Sequence, residues 1–149
     1  MQRPVPVVRL IVLNEHGQAL ILRRSHTAYA DGEWCLPGGK VDYLETVEDA
    51  AARELAEETA LQCTGFRFLS YQDNLPIAEG AMHCISLYFE CSARGEVHLS
   101  RESSEAAWIG PDDLVHYPLV FRNSEALAEY WGIDRPSTKM ETGLEGEDR

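Results

Sequence analysis

A mixed α/β sandwich is the fold class this sequence predicts, on three observations. Short apolar alternations bounded by turn residues recur along most of the chain, one Ala- and Glu-rich helix interrupts them, and a second helix closes the pattern. At 149 residues the chain fits one domain able to bury a real core, and its 44% hydrophobic content is that of an ordinary globular protein.

The elements follow in order. Val7 to Leu13 and Ala19 to Arg24 read as strands joined by the turn Asn14-Glu15-His16-Gly17. A polar loop from Ser25 to Glu33 leads to a short strand around Trp34 to Leu36 and the turn Pro37-Gly38-Gly39. Thr46 is placed to cap the next helix, with Asp49 completing a capping-box-like pair. Ala52, Leu55, Ala56 and Thr59 fall on a different arc from the glutamates, which predicts one packed face and one chemical face. Cys63 to Tyr71 is the next strand. From His83 to Cys91, Ile85, Leu87, Phe89 and Cys91 alternate with Cys84, Ser86, Tyr88 and Glu90, a strand suited to the core or to an interface edge. Arg94-Gly95 marks a turn and Ala106 to Ile109 a strand end. Pro111 opens a short helix through Val115, and Ser124 caps a last helix through Tyr130. The polar run from Asp134 onward has little to bury and reads as a mobile tail, which places one domain at 1–133 and the tail at 134–149.

Charge narrows the partners. Thirteen basic against 25 acidic residues give a formal net charge of −12, which argues against a nucleic-acid polymer or an anionic membrane surface. No apolar run reaches the length of a membrane span, and MQRPVPVVRL lacks a signal-peptide pattern, so a cytoplasmic location is the expectation. Cys35, Cys63, Cys84 and Cys91 show no zinc spacing and read as small hydrophobes in a reducing compartment.

The stretch from Gly39 to Leu61 carries the chemistry. Glu54, Glu57 and Glu58 stand at i, i+3 and i+4 of one helix, an arc of roughly 100°. Like charges so close repel unless a cation sits among them. Oxygen-only ligation by a few carboxylates suits Mg²⁺, which keeps some waters and shares a substrate phosphate.

In register, Gly39, Glu45, Arg53, Glu54, Leu55, Glu57, Glu58 and Leu61 match G-x5-E-x7-R-E-U-x-E-E-x-G-U, where U is a bulky aliphatic residue. The segment resembles the signature of the Nudix hydrolases. A chance match at six fixed positions has a probability on the order of one in millions at average residue usage. One position departs: Ala60 stands where the family has its second glycine, which puts the turn ending the helix in doubt rather than the ligands.

The resemblance implies the Nudix fold, an α/β/α sandwich with a mixed sheet and a loop–helix–loop catalytic motif. It implies Glu57 and Glu58 as metal ligands, Glu54 ligating or assisting, and a backbone carbonyl near Gly39 as a further ligand. Mg²⁺ is the implied cofactor, with Mn²⁺ an acceptable substitute. Arg53 would orient a glutamate through a bidentate pair, and Glu45 would pair with Arg53. Relatives often take the general base from a loop outside the signature; here Glu102 is favoured over Glu105, and Glu54 is the candidate if the helix supplies it. Arg23 and Arg24 end a strand facing the approach, so either could bind phosphate. The implied partner is a small-molecule nucleotide, and a homodimer is among the assembly states relatives adopt. Pro76 lies about sixteen residues beyond the second-glycine position, as in relatives acting on ADP-ribose, and tilts the reading toward ADP-ribose or a similar nucleotide sugar. The alternative substrate is a nucleoside triphosphate, ordinary or oxidised. A nucleotide-binding sensor without catalysis is the alternative from another class.

Overall fold

The computed structural model describes residues 2–76 and 78–133, so the tail inferred from Asp134 onward lies outside the described residues. Within them the chain runs β1 (Val5–Leu13), β2 (Ala19–Arg24), β3 (Trp34–Cys35), β4 (Gly38–Lys40), α1 (Val47–Thr59), β5 (Gln62–Cys63), β6 (Arg67–Asn74), β7 (Cys84–Arg94), β8 (Ser103–Ile109), a 3₁₀ turn (Pro111–His116) and α2 (Asn123–Trp131). The strands join in the order β3-β2-β1-β7-β5, with β4 added to β1, β6 to β7 and β8 to β2. β1 and β7 run parallel from Val5↔Cys84 to Leu13↔Ser92, whereas the other pairings are antiparallel, so the sheet is mixed.

Alternation along β1 gives the sheet two cores. Val8, Leu10 and Val12 face α1 with Leu20, Leu22, Leu55 and Phe89; Ile11 faces α2 with Ile21, Tyr88 and Leu127. The result is the α/β/α sandwich. None of the described helices is long and apolar enough to cross a membrane.

Asn14 closes the first hairpin, its Oδ1 accepting from the amides of His16 and Gln18 at 2.9 Å each. The two strands pair only at that end, Leu13↔Ala19, because β4 takes over the same edge of β1: Val7↔Lys40, Val8↔Gly39 and Arg9↔Gly38. Thus Pro37-Gly38-Gly39 is not simply a turn but leads directly into a strand. Gly38 has φ +148, and a Cβ there would lie 1.9 Å from the Val8 carbonyl oxygen. Only glycine fits against β1.

Three sequence expectations are corrected, and one left open is decided. Ala52 and Ala56 are exposed, and α1 instead buries Ala50, Ala51, Leu55 and Thr59. At 100° per residue Glu54 and Glu58 fall between Ala50 and Ala51 and Glu57 just outside them, so the chemical residues lie within and beside the packed stripe rather than opposite it. Cys63 to Tyr71 is two strands broken at Gly65. Of the two roles open to the strand from Cys84, the interior one holds, since it is paired on both sides, by β1 and β6. Ser124 lies inside α2, whose N-cap is Arg122 in a left-handed conformation; the Ser124 hydroxyl accepts from the Leu119 amide at 2.8 Å instead.

Candidate active site

Thr46 caps α1 as its position suggests, accepting from the Asp49 amide at 3.1 Å, and so fixes the helix phase relative to β4. One helical turn further, Arg53 becomes a hub. Its Nε and Nη2 donate to the two oxygens of Glu45 at 2.7 and 3.0 Å, and Nη2 also reaches the Lys40 carbonyl at 3.1 Å. Nη1 donates to Glu54 and to Glu57, each at 3.2 Å. The fork-to-fork pair with Glu45 is the bidentate geometry that a lysine does not supply. Arg53 donation, helped by the Asp42 amide, lowers the Glu45 carboxyl to about 2, and the same pairing raises Arg53 further.

Glu58 behaves differently. Burial raises its carboxyl to about 8, against the pull of the Gly38 amide, which donates to it at 3.0 Å, and with the push of the Glu54 charge. Glu54 is raised too, first by burial and against the attraction of Arg53. The two carboxyls also act on each other, the Glu54 charge adding to the rise of Glu58. Two ionised carboxylates so placed repel each other unless a proton or a cation offsets the charge. Gly39 allows this crowding: a Cβ on it would lie 2.3 Å from a Glu54 oxygen.

This donor set fits a hard divalent cation. It is all oxygen, carries more negative charge than Arg53 neutralises, and includes a carboxyl pair that needs a positive partner. The ligands are not gathered around one point, since Glu57 is turned to Arg53 with 59% of its side chain exposed. Among the described residues no cluster of three His, Cys, Asp or Glu is poised for a metal. Ala60 ends the helix in the left-handed conformation, φ 64, that glycine adopts without strain.

The residues placed outside the helix divide. Glu105 lies in β8 opposite Arg23, whose Nη1 reaches it at 3.4 Å, and Glu102 sits in the turn before it, with its carbonyl accepting from the Ser25 amide. None of the hydrogen bonds or ion pairs among the described residues links either glutamate to Glu54, Glu57 or Glu58. Arg24 turns toward Tyr29, whose carbonyl accepts from it at 3.2 and 3.0 Å, and toward the Phe121 ring.

Sequence reasoning missed two residues on the α2 side. Asn123 is buried; its Oδ1 accepts from the Leu36 amide at 2.9 Å and its Nδ2 donates to the Tyr88 hydroxyl at 3.1 Å, so the first turn of α2 is tied to the segment entering the site. Arg9 is buried in β1, and a charged residue inside the apolar run PVPVVRLIVL was the available signal. A cleft of about 930 Å³ opens between β6 and α2, with Gln72, Tyr88, Arg122 and Glu125 on its walls.

Known proteins resemble this chain in sequence and fold. The family model described as NUDIX domain matches residues 3–130. The nucleoside triphosphatase NudI of Escherichia coli O139:H28 is 32% identical over 130 residues, covering 81% of this chain and 92% of that protein. A MutT NUDIX hydrolase from Burkholderia pseudomallei superposes with a TM-score of 0.76 at 29% identity, over 85% of this chain and 97% of its own. The NUDIX domain of Shewanella oneidensis NrtR, solved with ADP ribose, has the same fold with a TM-score of 0.75 at 20% identity, over 89% of both chains.

Proposed function

This chain belongs to the Nudix hydrolases, enzymes of phosphoanhydride cleavage, and from that premise we propose that it cuts a nucleoside triphosphate to the monophosphate and pyrophosphate with Mg²⁺. The observation that carries the metal-dependent reading is the gathering of Glu54 and Glu57 on Arg53 beside Glu58, which the Gly38 amide holds, an acidic group with more negative charge than Arg53 offsets. Glu54, Glu57, Glu58 and a backbone carbonyl near Gly39 would hold the cation. When bound, Mg²⁺ polarises a phosphoryl oxygen and offsets the charge of the leaving group.

The chain's own residues supply the rest. Arg53 positions Glu54 and Glu57 while anchored on Glu45 and the Lys40 carbonyl. Glu102 takes the proton of the attacking water, with Glu105 and Glu54 the other candidates for that role. Water adds to phosphorus, the anhydride P–O bond breaks, and pyrophosphate leaves with the bonding pair. Support for the triphosphate comes from NudI, the named nucleoside triphosphatase. A second reading, ADP-ribose or a related nucleotide sugar, rests on Pro76, which is exposed just beyond β6. The intact carboxylate set weighs against a non-catalytic sensor. A cytoplasmic location, a nucleotide as the only partner class and a homodimeric assembly belong to the same proposal.

The test is product analysis on ordinary and oxidised triphosphates, ADP-ribose and other sugar nucleotides, with Mg²⁺ and then with chelator. Monophosphate plus pyrophosphate, lost on chelation and in Glu57→Gln, supports the proposal. AMP released from ADP-ribose alone transfers it to the second reading. Tight nucleotide binding with no turnover overturns both.

A further inference from the structure

Arg9 is a buried charge that the hydrolytic scheme leaves unused. It has 9% of its surface exposed, and its Nη1 donates to the Leu36 carbonyl at 3.0 Å. Its Nε is buried with no partner. None of the ion pairs among the described residues includes it. A desolvated guanidinium with an unpartnered Nε and no ion pair, whose charge acts on the Glu58 carboxyl only at a distance, is an unfavourable arrangement that bound anions relieve.

Its surroundings explain which anion. The Cζ atoms of Arg9 and Arg24 each lie 4.8 Å from the centroid of the Phe121 ring, so two like charges stand at most twice that distance apart. The electron-rich ring is a weak stand-in for a negative ligand. It is held there by a strained backbone: Phe121 and Arg122, neither of them glycine, have φ 62 and 59 in succession. Both guanidinium groups and the Glu58 carboxyl act electrostatically on the Cys35 thiol, which burial pushes up. The pair therefore borders the Glu58 end of the candidate site. A planar donor fork beside a second one is the arrangement that recognises phosphate oxygens.

We propose that Arg9 and Arg24 form a subsite for a phosphate group of the substrate, that the Phe121 ring fills this subsite in the free protein, and that phosphate displaces it. The proposal rests on the hydrolase reading for the identity of the substrate, but its binding test does not. Calorimetry in EDTA, with inorganic pyrophosphate, ADP and adenosine as probes, measures the subsite without the metal. Wild-type protein binds pyrophosphate and ADP in preference to adenosine. Arg9→Met loses at least tenfold in pyrophosphate affinity yet melts no lower than wild type, because the substitution removes a buried charge that no ion pair offsets and whose Nε has no partner. Arg9→Lys recovers part of the affinity. Phe121→Ala, which leaves both arginines in place, binds pyrophosphate more tightly, and this holds as a test even if Arg9→Met fails to fold. In turnover the Arg9→Met defect falls on KM more than on kcat.

Unchanged pyrophosphate affinity in Arg9→Met, or a lowered melting temperature with affinity intact, makes Arg9 a structural pin and overturns the subsite. Preference for ADP over pyrophosphate assigns the site to a nucleotide-borne phosphate; equal binding assigns it to any phosphate chain, product pyrophosphate included. Either result supports the subsite. Arginine-dependent binding without turnover of any nucleotide removes the hydrolase reading and leaves the subsite standing.

Discussion

Gly39→Ala separates catalysis from folding at this site. The backbone of Gly39 is not left-handed, so alanine is conformationally permitted there. Its Cβ, however, would meet the Glu54 carboxylate at 2.3, 2.5 and 2.8 Å. Ordinary contact lies near 3.5 Å, so the carboxylate must retreat by about 1 Å. The Glu54 side chain is only 14% exposed, and retreat breaks either its 3.2 Å bond from Arg53 or its contact with Glu58. In stability the terms nearly cancel: glycine to alanine adds about 0.4–1 kcal/mol through the unfolded chain, and losing one of the several bonds in the mostly buried Arg53 cluster removes about 1 kcal/mol. Displacing a positioned group by that distance lowers turnover by about a hundredfold, close to 3 kcal/mol of barrier. Urea unfolding and Mg²⁺-dependent product release on the same samples make the comparison. Wild-type turnover in a folded Gly39→Ala protein would refute the link between Glu54 placement and catalysis.

Other perturbations give outcomes of different kinds. Ala60→Gly relieves the left-handed alanine ending α1 and stabilises by about 0.5–1 kcal/mol, net of the greater freedom of glycine when unfolded, read as a rise of a few degrees in Tm. A fall in Tm would show that the C-cap is not strained. For pH, the folded Glu58 carboxyl stands at about 8, above its ordinary value of 4.5, so its stabilising contribution is complete below 4.5 and is lost as pH rises through 8. Metal-free protein therefore melts lower at pH 8.5 than at pH 5.5 on this account, while the Mg²⁺-induced rise in Tm grows over the same interval. Each pH unit below 8 weakens Mg²⁺ by about tenfold if one proton is displaced. A metal effect independent of pH would contradict the shared-proton description of Glu54 and Glu58.

Legibility in the sequence followed the range of the interactions. The Asn14–Gly17 turn, the Thr46 cap and the alternation through β7 are local, and each was read from residues a few positions apart. The Arg53–Glu45 pair was legible because it is part of a fixed spacing. Burial of Glu58 was not, for it depends on β4 lying against β1, a contact between residues some thirty positions apart. The phase of α1 failed for the same reason: composition cannot say which of Ala50, Ala51, Ala52 and Ala56 meets the sheet. Ser124 looked like a cap because its type is right, but the chain turns into α2 through Arg122 and spends the hydroxyl on Leu119. Arg9 stood in plain view, yet a lone arginine in an apolar strand has no local pattern to give it a role.

The nine-rung parallel ladder between β1 and β7 has a consequence for how the molecule comes to exist. During synthesis β1 emerges first but can make only one rung with β2 and three with β4 until Cys84 to Ser92 have followed it. Non-local pairing of this kind slows folding, because the long loop must close before any rung repays it. Gly38, whose amide holds Glu58, is itself held by β1. The nascent chain therefore carries its complete acidic signature for some time without a working site, and hydrolytic competence arrives together with the last central strand rather than growing with chain length.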